Sequence, residues 1–358
     1  MFSSKHGSGF VDFSLDLSEA SDWKAGLLTA LDYHLDITAL TMDPVSGLFA
    51  IGTARGVIYI YGSPGVECRL TLSDPPGLRV KFLQLAASVF KLLAVDEHER
   101  LHVWDLASFG KPKLQKLVSF PQPINCLVLS PSHSHAFLAL GSGEIRTYDL
   151  LCLRTSPYVV PNLWALYESK MFSANAAATD ISDSDIIVDV VIHPRDLNLL
   201  FIAYGGGVIL SDLKAQNTVR AYELLLPPGA PGGNGYHHQD ILTHRRPSVT
   251  TIAVHPSGHV LAVGHTDGTI AFWALEDEDR PLLLRTLDSS DSEDLSTVDA
   301  TKLESTSTPA VPREPIFKLA WSSFPNSSDP RGGETVLTVL GGLAIDALPG
   351  LTALLLRR

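Results

Sequence analysis

One stretch of this sequence, residues 249–275 (VTTIAVHPSGHVLAVGHTDGTIAFWAL), limits the possible folds more than any other. Its β-branched and apolar residues alternate with small or polar ones, which predicts three short β-strands in succession. Pro256 and Gly258 mark the first turn, and Asp267 and Gly268 mark the second, because these residue types favour turns over strands. A meander this small cannot bury both of its faces, so it must stack on further copies of itself.

Copies of this pattern occur along the chain. Each has an apolar strand, a turn, a strand of small residues and a third strand that closes on an aromatic or apolar residue. In four copies a proline follows the start of the first strand at the same interval, at Pro44, Pro131, Pro194 and Pro256. The copies are residues 37–61, 124–150, 187–213 and 249–275, with a weaker one that lacks the proline at 80–106.

The weaker copy ends in Trp104-Asp105, the ending typical of WD repeats. Self-similar units of roughly 40 residues, each a small antiparallel sheet, indicate a β-propeller rather than a single sandwich. We therefore predict an all-β WD-repeat β-propeller with five blade units, and part of a sixth at residues 314–358. In this last part, residues 316–321, 335–340 and 351–356 are the expected strands.

A set of residues recurs at equivalent positions in these units, and the recurrence predicts structural rather than catalytic roles. Asp105, Asp149 and Asp212 follow third strands, where a carboxylate can accept hydrogen bonds from the backbone N–H groups of a turn. Trp104 and Trp273 close third strands and are expected to be buried against neighbouring blades. The predicted structural positions are Gly52, Gly56, Tyr61, Trp104, Asp105, Asp149, Asp212, Gly264, Asp267, Gly268 and Trp273.

The segments outside the repeats differ in composition. Residues 1–35 form a lead-in, whose part 23–35 fits either a short helix or a strand. Two insertions interrupt the blade region of residues 36–275: residues 153–185, in which 157–171 can form a strand and a short helix, and residues 224–246, rich in Pro and Gly. Residues 276–313 are acidic and rich in Ser and Thr, which predicts a disordered loop outside the blades, with serines open to phosphorylation.

The charge of the chain argues against a general nucleic-acid binder. The formal net charge is −12, whereas such binders neutralise phosphates with basic residues. Residues 276–313 contain ten acids and four bases, which gives −6, so the repeats themselves are only mildly acidic. The opening residues MFSSKHGSGF have no apolar segment of the kind that directs secretion, and a cytoplasmic protein is expected.

Cysteine and histidine are placed as in a structural protein. The three cysteines are widely spaced in or beside strand patterns, which predicts reduced thiols and neither a metal site nor a disulfide. His193 and His255 precede prolines at equivalent turns and are predicted to be turn residues, and His237-His238 to be a surface pair in a Gly-rich loop. The cysteines are Cys68, Cys126 and Cys152.

No sequence motif predicts catalysis. Gly205-Gly206-Gly207 lacks a following Lys-Ser/Thr and indicates a turn rather than a phosphate loop. A Gly-x-Ser-x-Gly elbow does not occur in the sequence. We expect a protein that is not an enzyme and that uses no cofactor; a propeller hydrolase would need a pair of acids that converge on the central channel.

One apolar run, residues 336–356, has the length of a membrane span. It contains Asp346 near its centre and Gly341, Gly342, Pro349 and Gly350, which favour a β-hairpin over a transmembrane helix.

Residues 48–67 (LFAIGTARGVIYIYGSPGVE) resemble the lethal giant larvae/tomosyn family, whose first blade typically reads LAIGT-x-x-G-x-I-x-IYG-x-PGVE. Residues 314–321 (EPIFKLAW) are similar to the P-I-x-K-x-x-W/Y segment of that family. Gly341-Gly342-Leu343 before residues 351–354 (LTAL) is similar to its GG-L…LT-x-L hairpin. The resemblance runs from about residue 30 to residue 358 and covers the N-terminal part of a family whose members have two seven-bladed propellers.

The resemblance implies a cytoplasmic regulator of exocytosis and cell polarity, peripheral at the plasma membrane through its partners. It implies binding of syntaxin-type and related plasma-membrane SNAREs and, in fungi, of a secretory Rab GTPase. The alternative is a WD-repeat adaptor of another class, such as a substrate receptor of a ubiquitin ligase. Five units and part of a sixth fall short of the seven that the resemblance implies, so an open, incomplete propeller that self-associates or needs a partner is expected.

Overall fold

In the computed structural model, the residues described are 36–62, 66–72, 75–107, 112–172, 184–226, 246–287, 312–324, 334–347 and 350–356. They divide into two compact units. The first holds described residues up to 85 together with 92–115, and the second holds residues 86–91 and those from 116 onwards. The lead-in at residues 1–35, His237-His238 and most of the acidic segment lie outside the described residues.

Most residues of two four-stranded antiparallel sheets, in which each strand pairs with the next along the chain, belong to the first unit. Each sheet is a blade, numbered in chain order. Blade 1 comprises β1 (Ile37–Asp43), β2 (Leu48–Thr53), β3 (Val57–Gly62) and β4 (Val66–Thr71). Blade 2 comprises β5 (Val80–Ala86), β6 (Lys91–Asp96), β7 (Arg100–Asp105) and β8 (Lys113–Ser119).

The second unit contains four more sheets of the same sequential antiparallel order and, within its described residues, one α-helix and a short 3-10 helix at Ala87–Val89. Blade 3 comprises β9 (Ile124–Leu129), β10 (His135–Leu140), β11 (Ile145–Asp149) and β12 (Arg154–Val160), followed by helix α1 (Leu163–Phe172). Blade 4 comprises β13 (Ile187–Ile192), β14 (Leu199–Tyr204), β15 (Gly207–Asp212) and β16 (Asn217–Tyr222). Blade 5 comprises β17 (Val249–Val254), β18 (Val260–His265), β19 (Ile270–Ala274) and β20 (Leu283–Arg285). Blade 6 comprises β21 (Ile316–Phe324), β22 (Glu334–Gly341) and β23 (Leu351–Leu356).

The predicted fold class is confirmed: the chain is an all-β protein of WD-repeat blades, with five four-stranded sheets and a sixth of three strands in its described part. The three strands predicted for each repeat are present. The sequence pattern missed the fourth strand of blades 1, 2, 4 and 5, because those strands carry no repeated motif. In blade 3, the strand and short helix predicted within residues 157–171 correspond to β12 and α1.

Two predicted segment boundaries differ from the structure for this reason. The interval 153–185, predicted as an insertion, begins with β12 of blade 3, and only the residues after β12 lie outside the sheet. The acidic interval 276–313, predicted to lie outside the blades, contains β20, which pairs with β19 through Ile270 opposite Arg285.

The apolar run 336–356 forms two paired strands, β22 and β23, rather than a helix. Thr338 pairs with Ala353, and Gly341 and Gly342, at the end of β22, have positive φ angles of 86° and 78°. Within the described residues, no helix has both the length and the apolar character that crossing a membrane requires.

The hydrophobic core lies between successive sheets, not within one sheet. Ile58 and Ile60 of blade 1 pack with Leu83 and Leu92 of blade 2. In the second unit, separate apolar clusters join blade 3 to blade 4, blade 4 to blade 5, and blade 5 to blade 6. Each sheet therefore depends on its neighbour for burial, as the small size of the meander predicted.

Candidate interaction surface

Each blade has two edges that carry different turns. At the edge called here the proline edge lie the turns between first and second strands, such as 255–258, and those that follow third strands. At the opposite edge, called the glycine edge, lie the turns between second and third strands and the connections from one blade to the next. Gly56, Gly143 and Gly268 occupy these turns with positive φ angles of 72°, 77° and 79°, a conformation that favours glycine.

At the glycine edge, the side chain of the last residue of the second strand forms hydrogen bonds with the turn that follows it. Thr53 Oγ1 donates to Val57 O at 2.9 Å and accepts from Val57 N at 3.0 Å. In blade 2, buried Asp96 accepts from His98 N, Arg100 N and Arg100 Nε, and lies 2.8 Å from His102 Nε2. Burial raises the pKa of Asp96, but the hydrogen bonds from His102 and Arg100 outweigh it, so the net pKa lies below the ordinary value.

The equivalent residue of blade 5 is His265, whose Nδ1 lies 3.2 Å from Thr269 O. Burial lowers the pKa of His265, and the charge of Asp267 and the bond to Thr269 offset this only in part. Asp267 accepts from Thr269 N at 3.1 Å and from Thr269 Oγ1 at 2.6 Å. The Asp267-Gly268 turn is therefore held by its own side chains.

The aspartates at the proline edge accept hydrogen bonds from turns, as their periodic placement suggested. Asp105 Oδ1 accepts from Ala107 N at 3.0 Å. Asp149 and Asp212 each accept two backbone N–H groups, from the two residues that lie two and three positions further along the chain, at 2.8–2.9 Å. The pKa of Asp149 is lowered chiefly by its bond from Cys152 N.

Glycine and aromatic positions mark the contact between neighbouring sheets. A Cβ on Gly52 would lie 2.6 Å from Val80 Cγ1, and one on Gly264 would lie 2.6 Å from Ile316 Cγ2, so these glycines let the next first strand approach. Trp104 and Trp273 are 9% and 1% exposed and belong to the apolar clusters of blades 1–2 and 4–5. Tyr61 is half-buried and stacks on Phe49 with ring centroids 4.9 Å apart.

His193 and His255 occupy turns and also join blades. Nδ1 of His193 accepts from Arg195 N and Asp196 N, so Nε2 carries the hydrogen that it donates to Gly258 O at 3.0 Å. His255 repeats the arrangement, with Nε2 3.0 Å from Thr335 Oγ1 of blade 6. Each is buried and holds two successive blades together at the proline edge.

The first strands contain a β-bulge at their second residue in blades 1, 3, 4, 5 and 6. The third residue of these strands then points to equivalent places in successive blades. In the second unit these residues are Cys126, Asp189, Thr251 and Lys318.

Sequence reasoning missed the polar network that this alignment produces. Asp189 Oδ2 accepts from Thr251 Oγ1 at 2.9 Å and from Lys318 Nζ at 2.7 Å, which links blades 4, 5 and 6. Burial, and then the charge of Asp189, raises the pKa of Cys126 to about 12, so the thiol stays protonated. An acid within the apolar strand IVDVVI, in register with Thr251 and Lys318, was the available signal.

Helix α1 covers the glycine edge of blade 4. Trp164 is fully buried over Gly206 and Gly207, where a Cβ on either residue would lie within 2.5 Å of its ring. The predicted turn at residues 205–207 therefore also provides space for an aromatic side chain. Trp164 Nε1 donates to Glu168 Oε1 within the helix at 2.9 Å, and Leu163 N donates to Tyr204 Oη of β14 at 3.1 Å, which attaches the start of the helix to the sheet.

A charged cluster attaches α1 to the two ends of the next connection. Arg246 forms ion pairs with Glu168 of α1 and with Glu223, and Tyr167 Oη donates to Glu223 Oε2 at 3.4 Å. The side chains of the three charged residues are only about one-fifth exposed. Arg246 is therefore used internally, and the outer face of α1 presents Leu166, which is 49% exposed.

The longest connections of the second unit all start and end at the glycine edge. They are residues 161–186, 223–248 and 286–315, between blades 3 and 4, 4 and 5, and 5 and 6. Contacts join this edge from blade to blade: Val249 N donates to Gly205 O at 2.9 Å, and Gly268 lies against Arg313. The glycine edge of the second unit is the candidate interaction surface. Among the residues that the structure describes, no three His, Cys, Asp or Glu side chains group as a metal site would require.

Repeated four-stranded sheets, third strands closed by Trp, and Gly and Asp turns define a WD-repeat propeller protein. The WD40 family (WD domain, G-beta repeat) matches residues 237–274, which include most of blade 5.

Similar proteins are lethal giant larvae proteins and a fission-yeast protein. The chain is 26% identical over 238 residues to Lethal(2) giant larvae protein homolog SRO77 of Saccharomyces cerevisiae, covering 66% of this chain and 22% of that protein. It is 25% identical over 271 residues to human LLGL scribble cell polarity complex component 2, covering 70% and 23%. It is 26% identical over 324 residues to Uncharacterized protein C1F3.03 of Schizosaccharomyces pombe, covering 89% and 30%.

The predicted resemblance is therefore confirmed: the chain is similar to lethal giant larvae proteins, and its matches include fungal ones. It spans between about one-fifth and one-third of the length of these relatives.

Proposed function

We propose that this chain is a non-enzymatic WD-repeat scaffold that regulates exocytosis and cell polarity by binding other proteins. The similarity to lethal giant larvae proteins, one of them a human polarity complex component, carries this proposal. The partners we propose are syntaxin-type and related plasma-membrane SNAREs, and a secretory Rab GTPase. Its place is the cytoplasm, peripherally at the plasma membrane through these partners.

The hydrogen bonds of the acidic side chains support a binding role rather than a catalytic one. The acids at repeated positions accept hydrogen bonds from their own turns, as Asp149, Asp212 and Asp267 do. Asp189 is held by Thr251 and Lys318 and so has partners within the fold. Sheet faces between blades are filled with apolar side chains, which leaves edges and connections for partners.

The glycine edge of the second unit is the surface at which we place the partners. Three long connections begin and end there on successive blades, and α1 is fixed there by Trp164 and Arg246. Leu166 on the outer side of α1 offers an exposed apolar anchor of the kind that contributes to protein interfaces.

The test is binding of the purified chain to syntaxin-type and related plasma-membrane SNAREs, each alone, and to a secretory Rab loaded with GTP or GDP. We expect saturable binding to a SNARE, and to the Rab with preference for GTP. Leu166→Asp should weaken binding by about tenfold. Leu197→Asp is the matched control, because Leu197 is 56% exposed at the proline edge of the same blade.

Two results would contradict the proposal. One is a folded chain that binds none of these proteins. The other is recovery of cullin-adaptor proteins as the direct partners in proximity labelling, which would favour a ubiquitin-ligase substrate receptor.

A further inference from the structure

We propose that a cleft at the glycine edge, beside the starts of the first strands of blades 3 and 4, binds an uncharged extended peptide segment. The cleft would contact the backbone of the peptide and one of its apolar side chains. The cleft has a volume of about 530 Å³ and is lined by Gln122, Pro123, Asn125, Gly141, Ser142 and Ile186. All six residues belong to the second unit. The volume is within the range of sites that take small ligands or parts of peptides.

The lining combines apolar surface with uncharged polar groups. Pro123 and Ile186 supply apolar surface, and Gly141 leaves room because it has no side chain. None of the six residues carries a charge, so the site lacks the basic groups that phosphate requires and the carboxylates that a hard cation requires. A ligand without charge is the chemistry that fits.

Two polar side chains in the cleft have no hydrogen-bond partner among the described residues, and a third has free donors. The carboxamide of Asn125 has none on either of its atoms, and the Ser142 hydroxyl has none. Gln122 Oε1 accepts from Ser142 N at 3.2 Å, which leaves the Gln122 amide N–H groups available. A carboxamide offers one acceptor and two donors side by side, which matches the N–H and C=O of a peptide unit.

The side chain of Asn125 lacks the hydrogen bond that equivalent residues of other blades make. Asn125 is the bulged second residue of a first strand, as Thr38 and Thr250 are. Those threonines donate to backbone carbonyl groups of the next blade, at Val80 O and Ile316 O. Asn125 makes no such bond, so its side chain is available at a position where others hold the blades together.

The walls of the cleft are tied together before any ligand binds. Gly141 N donates to Pro123 O at 2.8 Å. Asn162 Nδ2 donates to Ser142 O at 2.9 Å and lies 3.4 Å from Asp185 O, beside Ile186. A preformed site reduces the ordering cost of binding, which suits recognition of a short segment.

The experiment is selection from a phage-displayed library of random linear dodecapeptides on the full chain. Selected peptides are then measured by fluorescence polarisation. We expect sequences of low net charge that share an apolar residue. Asn125→Leu, of similar volume, should weaken their binding by about tenfold or more, because two hydrogen bonds are lost. Asn217→Leu is the control, since Asn217 is exposed at the proline edge of blade 4.

Ser142→Ala gives a second, smaller perturbation in case Asn125→Leu does not fold, and it should weaken binding severalfold. The proposal is overturned if the selected peptides are dominated by charged residues. It is also overturned if the folded cleft variants bind as the unmodified chain does, or if no peptide is enriched. It does not depend on SNARE binding: Leu166→Asp should leave peptide affinity unchanged, so the two proposals can fail separately.

Discussion

Gly264→Ala tests whether the close approach of neighbouring blades sets the stability of the second unit. The added Cβ would lie 2.6 Å from Ile316 Cγ2, 2.8 Å from Ile316 Cβ and 3.1 Å from Thr251 Cγ2. Carbon atoms in favourable contact are about 3.5–4.0 Å apart, so the overlap approaches 1 Å. Ile316 is fully buried and branched at Cβ, so it cannot turn away without moving the first strand of blade 6.

Overpacking of this kind costs about 1–3 kcal/mol of unfolding free energy. Alanine also restricts the backbone of the unfolded chain, which stabilises the folded state by about 0.4–1 kcal/mol. This gain is smaller than the cost of overpacking, so the net effect is destabilising. Gly350→Ala is the matched control, because no atom of the described residues lies within 4 Å of the Cβ that it would add. It should change stability by less than about 0.5 kcal/mol.

The assay is urea unfolding of the whole chain, followed by tryptophan fluorescence and compared at the transition midpoint. Ile316→Ala removes the atom nearest to the new Cβ and alone costs about 2–5 kcal/mol. Because part of the overlap disappears with it, the double variant should be less destabilised than the sum of the two single variants by at least about 0.5 kcal/mol. Additive effects, or a neutral Gly264→Ala, would refute the blade contact as described.

Other perturbations test further contacts of the same structure. Trp273→Ala and Trp104→Ala should each cost about 3–5 kcal/mol in urea unfolding, and a loss below about 1 kcal/mol would mean that these side chains do not pack between blades. Burial lowers the pKa of His265 below 6.5, so on acidification this imidazole is protonated in the unfolded chain before it is protonated in the folded one. The unfolding free energy should therefore fall as the pH drops below about 6.5, by up to about 1.4 kcal/mol per pH unit, until the folded-state pKa is reached. His265→Asn should flatten that decline in melts recorded between pH 7.5 and 5, and an unchanged slope would contradict the assignment. Asp189→Ala should cost about 1–3 kcal/mol, because it leaves the buried Thr251 hydroxyl without its acceptor. Lys318→Met should cost less than about 1 kcal/mol, because Lys318 is 59% exposed; equal losses in calorimetric melting would count against this account of the network.

The sequence by itself determined the repeating unit. Strands such as Val249–Val254 alternate apolar and polar residues between Pro and Gly turns, and this information is local to each segment. The same is true of Asp105 and Asp212, whose partners are backbone groups only two or three residues away. Local rules were sufficient wherever the interacting groups are close in sequence.

The fourth strands required the tertiary structure. Lys113–Ser119 (KLQKLVS) is largely exposed and carries no motif that repeats in the other blades. Its conformation is set by the strand beside it rather than by its own residues. Leu283–Arg285 is a shorter case within an acidic segment whose composition indicated a loop.

The candidate surface also depends on contacts between residues far apart in the chain. Asp189, Thr251 and Lys318 come together because equivalent bulges align three first strands, and no single strand specifies this alignment. Trp164 could be placed on a helix from sequence, but its site over Gly206 and Gly207 arises from blade packing. The repeats determined which strands form, and the stacking of one sheet on the next decided which side chains meet, because that stacking depends on the combined shape of two surfaces.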